Sequence, residues 1–210
     1  MSFFLKWIFV EKPRGLDFSM RRKKIGITAE GSTGYAATHS QTLRKIFEKL
    51  VINGDDSFLD IGCGKGAVLR FASGYPFGRI AGLEYEGFLC RIAESNMRRL
   101  GLDGRVEIIQ GDARTFECYG DYNVFFLYNP FSTDISKAVL ERIIKGISIQ
   151  KLSDSKRTYI ICYGKYDNDT IENSGLFILD YSFIDPVKDN VVNVWKYEPG
   201  NTTSTGGAEK

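Results

Sequence analysis

Between residues 57 and 163 short apolar runs alternate with stretches of helical spacing. SFLDI (57–61), RIAGLE (79–84), RVEIIQ (105–110), NVFFLY (123–128) and RTYIICY (157–163) have the length and content of strands. NVFFLY is almost wholly apolar, which suits a strand covered on both faces of a parallel sheet. AVLRFAS (67–73), GFLCRIAESNMRRL (87–100) and ISKAVLERIIKGI (135–147) lie between them and read as helices, the second stopped by Gly101. Upstream, residues 38–52 place Leu43, Ile46, Phe47, Leu50 and Val51 on one helical stripe. Thr38 or Ser40 is available as its cap, and Asn53-Gly54-Asp55-Asp56 ends it. Downstream, GLFILDYSF (175–183) and NVVNVWKY (190–197) read as two strands joined around Asp185-Pro186, a terminal antiparallel hairpin.

This alternation predicts an α/β fold: a doubly wound, mostly parallel seven-stranded sheet with an antiparallel C-terminal strand and helices on both faces. The boundaries follow from the same pattern. Residues 1–34 form a basic N-terminal extension and a loop, residues 35–197 the domain, and residues 198–210 a disordered tail without large apolar residues. Ligands of such sheets lie beyond the carboxyl ends of the strands, where the strand order reverses.

Composition narrows the chemistry. The chain has 28 Lys and Arg, 26 Asp and Glu, and 43% hydrophobic residues, so 210 residues bury a core without metal or disulfide staples. One histidine, His39, and four scattered cysteines (Cys63, Cys90, Cys118, Cys162) form no metal-ligand spacing, and no metal is expected. The cysteines read as reduced thiols, which points to the cytoplasm. Residues 1–24 hold seven bases and two acids, a net +5, leaving −3 for the other 186 residues. MSFFLKWIFV is too short an apolar run to span a bilayer. The extension reads first as a helix docked on the domain with a solvated basic linker, and second as a foot on a membrane surface.

The strongest motif is FLDIGCGKG, where Gly62, Gly64 and Gly66 separate the first strand of the alternation from its helix. Such glycines let a ligand lie against bare backbone at a helix start. The dinucleotide fingerprint is formally met by Gly62, Gly64 and Ala67, with Glu84 placed to grip ribose hydroxyls. Three neighbours argue for another ligand. Asp60 would crowd a pyrophosphate and suits an ammonium group; Asp112, in Gly111-Asp112-Ala113, suits an exocyclic adenine amine; and Asn129-Pro130-Phe131 follows the fourth strand.

In this order these residues resemble the class I S-adenosylmethionine-dependent methyltransferases, over roughly residues 35–197. The resemblance implies that Asp60, Gly62, Cys63 and Gly64 line the methionyl end of the cofactor. Glu84 would bind the ribose, Tyr85 would lie along the adenine, Asp112 would hold its amine, and Ala113 would lie beside the ring. Asn129, Pro130 and Phe131 would form the catalytic turn, with Asn129 also close to the cofactor. LYNPF is similar to the turn that amino-methylating members place beside the transferred methyl group, but it lacks the extra residue of the nucleic-acid adenine version. The implied activity is methyl transfer to an amine-type acceptor, with a protein side chain among the candidates. Small molecules and RNA remain alternative acceptors; an NAD(P)-dependent oxidoreductase and a non-catalytic cofactor-binding subunit are rival readings. Tyr35, Thr38, His39 and Tyr163 are further residues near the pocket, with capping or packing an equally good explanation of each.

Overall fold

The computed structural model describes residues 7–18, 40–128, 132–149, 157–164, 168–185 and 189–198. Seven strands form one sheet: β1 Ser57–Ile61, β2 Arg79–Glu84, β3 Glu107–Gln110, β4 Val124–Tyr128, β5 Tyr159–Tyr163, β6 Phe177–Ile184 and β7 Val191–Tyr197. Their order is β3-β2-β1-β4-β5-β7-β6. Pairings from β3 across to β5 are parallel, whereas β7 runs antiparallel to both β5 and β6. The hairpin therefore inserts its second strand beside β5 and leaves β6 at the edge. The helices are α1 Ser40–Leu50, α2 Ala67–Ala72, α3 Gly87–Arg99, α4 Thr133–Ile149 and α5 Asn168–Glu172.

Period-two alternation along the strands sends side chains to two cores. Phe58, Ile80, Phe126 and Ile161 face α1, α2 and α3, where they meet Leu43, Ile46, Phe47, Leu69 and Met97. Leu59, Ile61, Phe125 and Ile160 face α4 and α5, where they meet Val139, Ile143 and Ile171. The first core also takes in Leu16 and Phe18, so the segment 7–18 packs onto the domain that follows it.

Local hydrogen bonds shorten several predicted elements. The N–H groups of Arg105 and Val106 both donate to the Leu102 carbonyl, closing a turn, so pairing of β3 with β2 begins at Glu107. Asn123 and Arg157 are held outside their strands by a network on Asp56. The Asn123 amide nitrogen donates to Asp56 Oδ1 at 2.9 Å, and Arg157 donates to Asp56 Oδ2 at 3.0 Å. The short helix α5 was not expected from the apolar pattern; its one buried residue is Ile171.

An aromatic cluster fixes α1 to the sheet. The Phe47 ring lies 5.5 Å from Phe58, 5.0 Å from Tyr75 and 5.3 Å from Phe77. Phe47→Ala removes all three contacts, and the expected loss of unfolding free energy is about 3–5 kcal/mol. Denaturant titration measures it; a loss below about 1 kcal/mol would show that this cluster does not anchor α1.

Candidate active site

β1 lies between β2 and β4, so the strand order reverses there and a crevice opens beyond its carboxyl end. The loop leaving β1 is fixed by its own backbone. Gly62, Gly64 and Gly66 have φ of +81°, +55° and +79°, values that side-chain-bearing residues seldom adopt. The N–H groups of Gly62 and Cys63 both donate to the Leu83 carbonyl, at 2.8 and 3.1 Å, which pins the loop to the end of β2. Beneath the loop, a Cβ on Gly82 would come within 2.6 Å of Cys63 Sγ and 2.5 Å of Leu69 Cδ1. The Cys63 side chain thus lies on bare Gly82 in the core, leaving its backbone for the crevice. Burial, followed by the charges of Asp60 and Glu84, pushes its thiol well above the ordinary range, so it is not a thiolate nucleophile.

Glu84 ends β2 and ties the site together. Its Oε2 accepts from the Gly64 N–H at 2.8 Å and its Oε1 from the Glu86 N–H at 2.9 Å, joining the loop tip to the start of α3. Burial raises its pKa against the lowering effect of these two donors. Asp60 occupies a position on β1 that shares a face with Phe58. It is only 3% exposed, and its Oδ2 is buried with no hydrogen-bond partner among the described residues. Burial, with the Glu84 charge second, holds this carboxyl well above the usual carboxylate range. Of the two buried acids on these neighbouring strands, Glu84 is bonded through both oxygens and Asp60 Oδ2 is not.

The third acid is differently placed. Asp112 accepts from Arg114 through both oxygens, the shortest contact being 2.6 Å, and that pairing lowers its pKa. It also caps its own turn by accepting from the Arg114 N–H at 2.9 Å. Arg114 is thus the competitor for any ligand amine at this carboxylate. Tyr85 is 47% exposed beside β2, and Ala113 is buried, its carbonyl accepting from the Tyr119 hydroxyl.

Asn129, Pro130 and Phe131 lie outside the described residues, as do Tyr35, Thr38 and His39. The strand that delivers the Asn-Pro-Phe turn is described: β4 is central, next to β1, and ends at Tyr128. The Tyr128 ring stands edge-on to Tyr163 with centroids 4.4 Å apart. Tyr163 is fully buried and its hydroxyl donates to the Asp185 carboxylate.

Sequence reasoning missed one cluster at the loop. Lys65, inside the glycine run, is buried and pairs with Asp17 at 2.6 Å, and Asn96 of α3 bonds both residues' backbones. The available signal was Leu16-Asp17-Phe18, an acid between two apolar residues in a basic stretch.

Residues 58–148 match the family described as a methyltransferase domain. Over that stretch the chain is similar to the class I S-adenosylmethionine-dependent methyltransferases. S-adenosylmethionine is the cofactor of these methyltransferases. The chain is 27% identical over 106 residues to a ribosomal protein L11 methyltransferase of Pelotomaculum thermopropionicum. That match takes in 49% of the chain but 34% of the relative, so the chain spans about a third of that methyltransferase's length. Two solved structures share the methyltransferase fold at low identity. One is an RNA methyltransferase from Salinibacter ruber with bound S-adenosyl-L-homocysteine (TM-score 0.58, 20% identity, 82% of this chain, 100% of that one). The other is magnesium protoporphyrin IX methyltransferase from Synechocystis with bound cofactor (TM-score 0.54, 15% identity, 75% of this chain, 78% of that one).

The residues fit the family's cofactor: bare backbone at the bend and an orphaned carboxylate oxygen beneath it suit a ligand carrying an ammonium group and a sulfonium. Among the described residues no helix is long and apolar enough to cross a membrane, and no group of acids, histidines or cysteines is placed to hold a metal.

The buried Asp60 carboxyl generates a pH-dependent expectation. Its pKa is raised in the folded state, so it destabilises the ligand-free fold increasingly as pH rises above the unfolded value, and costs nothing below about pH 4. Asp60→Asn is expected to raise the ligand-free melting midpoint at neutral pH, with the gain vanishing in acid. The same change is expected to weaken cofactor binding by about tenfold or more, because only the ionised acid attracts a cation. Melting across pH, paired with calorimetric titration, checks both; a lower midpoint at neutral pH with unchanged affinity would contradict them.

Proposed function

We propose that this chain transfers a methyl group from S-adenosylmethionine to an amine-type acceptor, with a protein side chain favoured. The observation that carries the reading is the buried, unpartnered oxygen of Asp60 under a loop of bare glycine backbone. When bound, the cofactor supplies an activated methyl group on a positively charged sulfur. The chain's task is then to align and to desolvate, and the proton lost by the acceptor amine passes to solvent.

In this proposal Asp60 and the Gly62–Gly64 backbone hold the methionyl end, including the backbone of Cys63. Glu84, fixed through Gly64 and Glu86, takes the ribose hydroxyls. Tyr85 covers one face of the adenine, Ala113 lies beside it, and Asp112 receives its amine by exchanging part of its bonding with Arg114. Asn129 and a carbonyl held by Pro130 accept the hydrogens of the acceptor amine and so orient its lone pair. Phe131 offers an aromatic face to a cationic or flat group.

Two features support the placement of that turn. β4 pairs with β1 through Ile61↔Leu127, so the carboxyl end of β4 lies beside the strand that leads into the glycine loop. The residue types in Asn129-Pro130-Phe131 match amine chemistry, and the ribosomal-protein relative acts on a protein. An RNA acceptor has the support of the Salinibacter structure's name alone, at 20% identity.

Asn129→Ala is expected to lower the transfer rate by about a hundredfold while cofactor affinity stays within about twofold. The test uses purified protein, methyl-labelled cofactor and a cell extract, with product sorted into protein, RNA and small molecules. Label confined to RNA would contradict the protein acceptor, and a variant with full rate and lost affinity would contradict the role given to Asn129.

A further inference from the structure

The glycine loop contains a lysine, and a cation there opposes a cationic ligand. Lys65 nevertheless sits between Gly64 and Gly66 and is only 2% exposed. Its ammonium is held by Asp17 Oδ1 at 2.6 Å. Asp17 is fixed in turn. Its N–H donates to Asn96 Oδ1 at 2.9 Å, and Asn96 Nδ2 donates to the carbonyls of Asp17, at 3.2 Å, and Lys65, at 3.0 Å. Next to it, the Phe18 N–H donates to Oε2 of the buried Glu11 at 2.9 Å, and the Phe18 ring packs under Arg70 of α2. Leu16 and Phe18 are both buried in the core beneath α1, α2 and α3.

The loop is therefore gripped from two sides. Glu84 holds Gly64 from the strand side, and Asp17 with Asn96 holds Lys65 from the outside. The outer grip belongs to a segment that precedes β1 by about 40 residues and shares the core with the helix that starts at the loop's end. Its charge has the sign the site needs: Asp17 offsets a lysine that otherwise subtracts from the negative potential of Asp60 and Glu84.

We propose that Asp17, acting through Lys65, is a positioning residue for the cofactor loop, and that docking of residues 7–18 and cofactor binding stabilise each other. This rests on the reading that the Gly62–Gly66 loop binds the adenosyl cofactor. Linkage makes the effect reciprocal: whatever factor the docked segment adds to cofactor affinity, the cofactor adds to docking.

The experiment measures S-adenosylmethionine binding by calorimetry in wild type, Asp17→Asn, Lys65→Met and the double variant. It also follows hydrogen exchange at the Asp17 and Phe18 amides with and without that ligand. Asp17→Asn is expected to lower affinity about tenfold, by leaving a buried ammonium beside the loop without its carboxylate. The double variant is expected to return to within about threefold of wild type, because the offending charge is gone. In wild type the ligand is expected to slow exchange at both amides. Wild-type affinity in Asp17→Asn, equal losses in single and double variants, or exchange unaffected by ligand would each overturn the coupling. If Asp17→Asn does not fold, the double variant and the wild-type exchange data still decide. Wild type that binds a dinucleotide but not S-adenosylmethionine would overturn the cofactor reading beneath the proposal.

Discussion

Two carboxylates buried at the tips of adjacent strands are the constraint on which this site depends. Asp60 and Glu84 lie where β1 and β2 end, and each is held above its ordinary pKa by burial. Burying one acid is unfavourable, and burying a second beside it adds repulsion. Glu84 is offset by two backbone N–H groups that also fix the loop. Asp60 has no such compensation for Oδ2 among the described residues. The fold tolerates this because the surrounding cores are large and aromatic-rich.

The rest of the architecture serves that corner. Reversal of strand order at β1 opens the crevice, and β4 lies next to β1 on the side away from β2. Gly82 removes a side chain where Cys63 must lie, so a bend at the sheet's edge is seated by a missing Cβ in its interior. The segment 7–18 belongs to the same arrangement, since it shares a core with the three helices on that face and grips the loop from outside.

Most of the strand and helix pattern was legible because alternation and helical spacing are local. β1 and β2 run over the predicted residues, as does the glycine bend between β1 and its helix. Partners distant in sequence were not legible. Asn123 and Arg157 look like strand residues and are drawn off to Asp56, which lies 67 and 101 positions away. Nothing local marks Lys65, because its partner Asp17 lies 48 positions upstream. Asp112 read as a ligand contact, and only the fold reveals Arg114 already bound to it. Spacing reports which residues share an element; it carries little about which charges meet across elements.

The most direct measurement is a calorimetric titration of the wild-type protein with S-adenosylmethionine in mildly acidic solution, repeated in two buffers of different ionisation enthalpy. If the Asp60 carboxyl, its pKa held up by burial, receives the cofactor's positive charge, one equivalent binds and protons are released on binding. Binding with no proton release, or no binding at all, would contradict the claim that this carboxylate is what the cofactor neutralises.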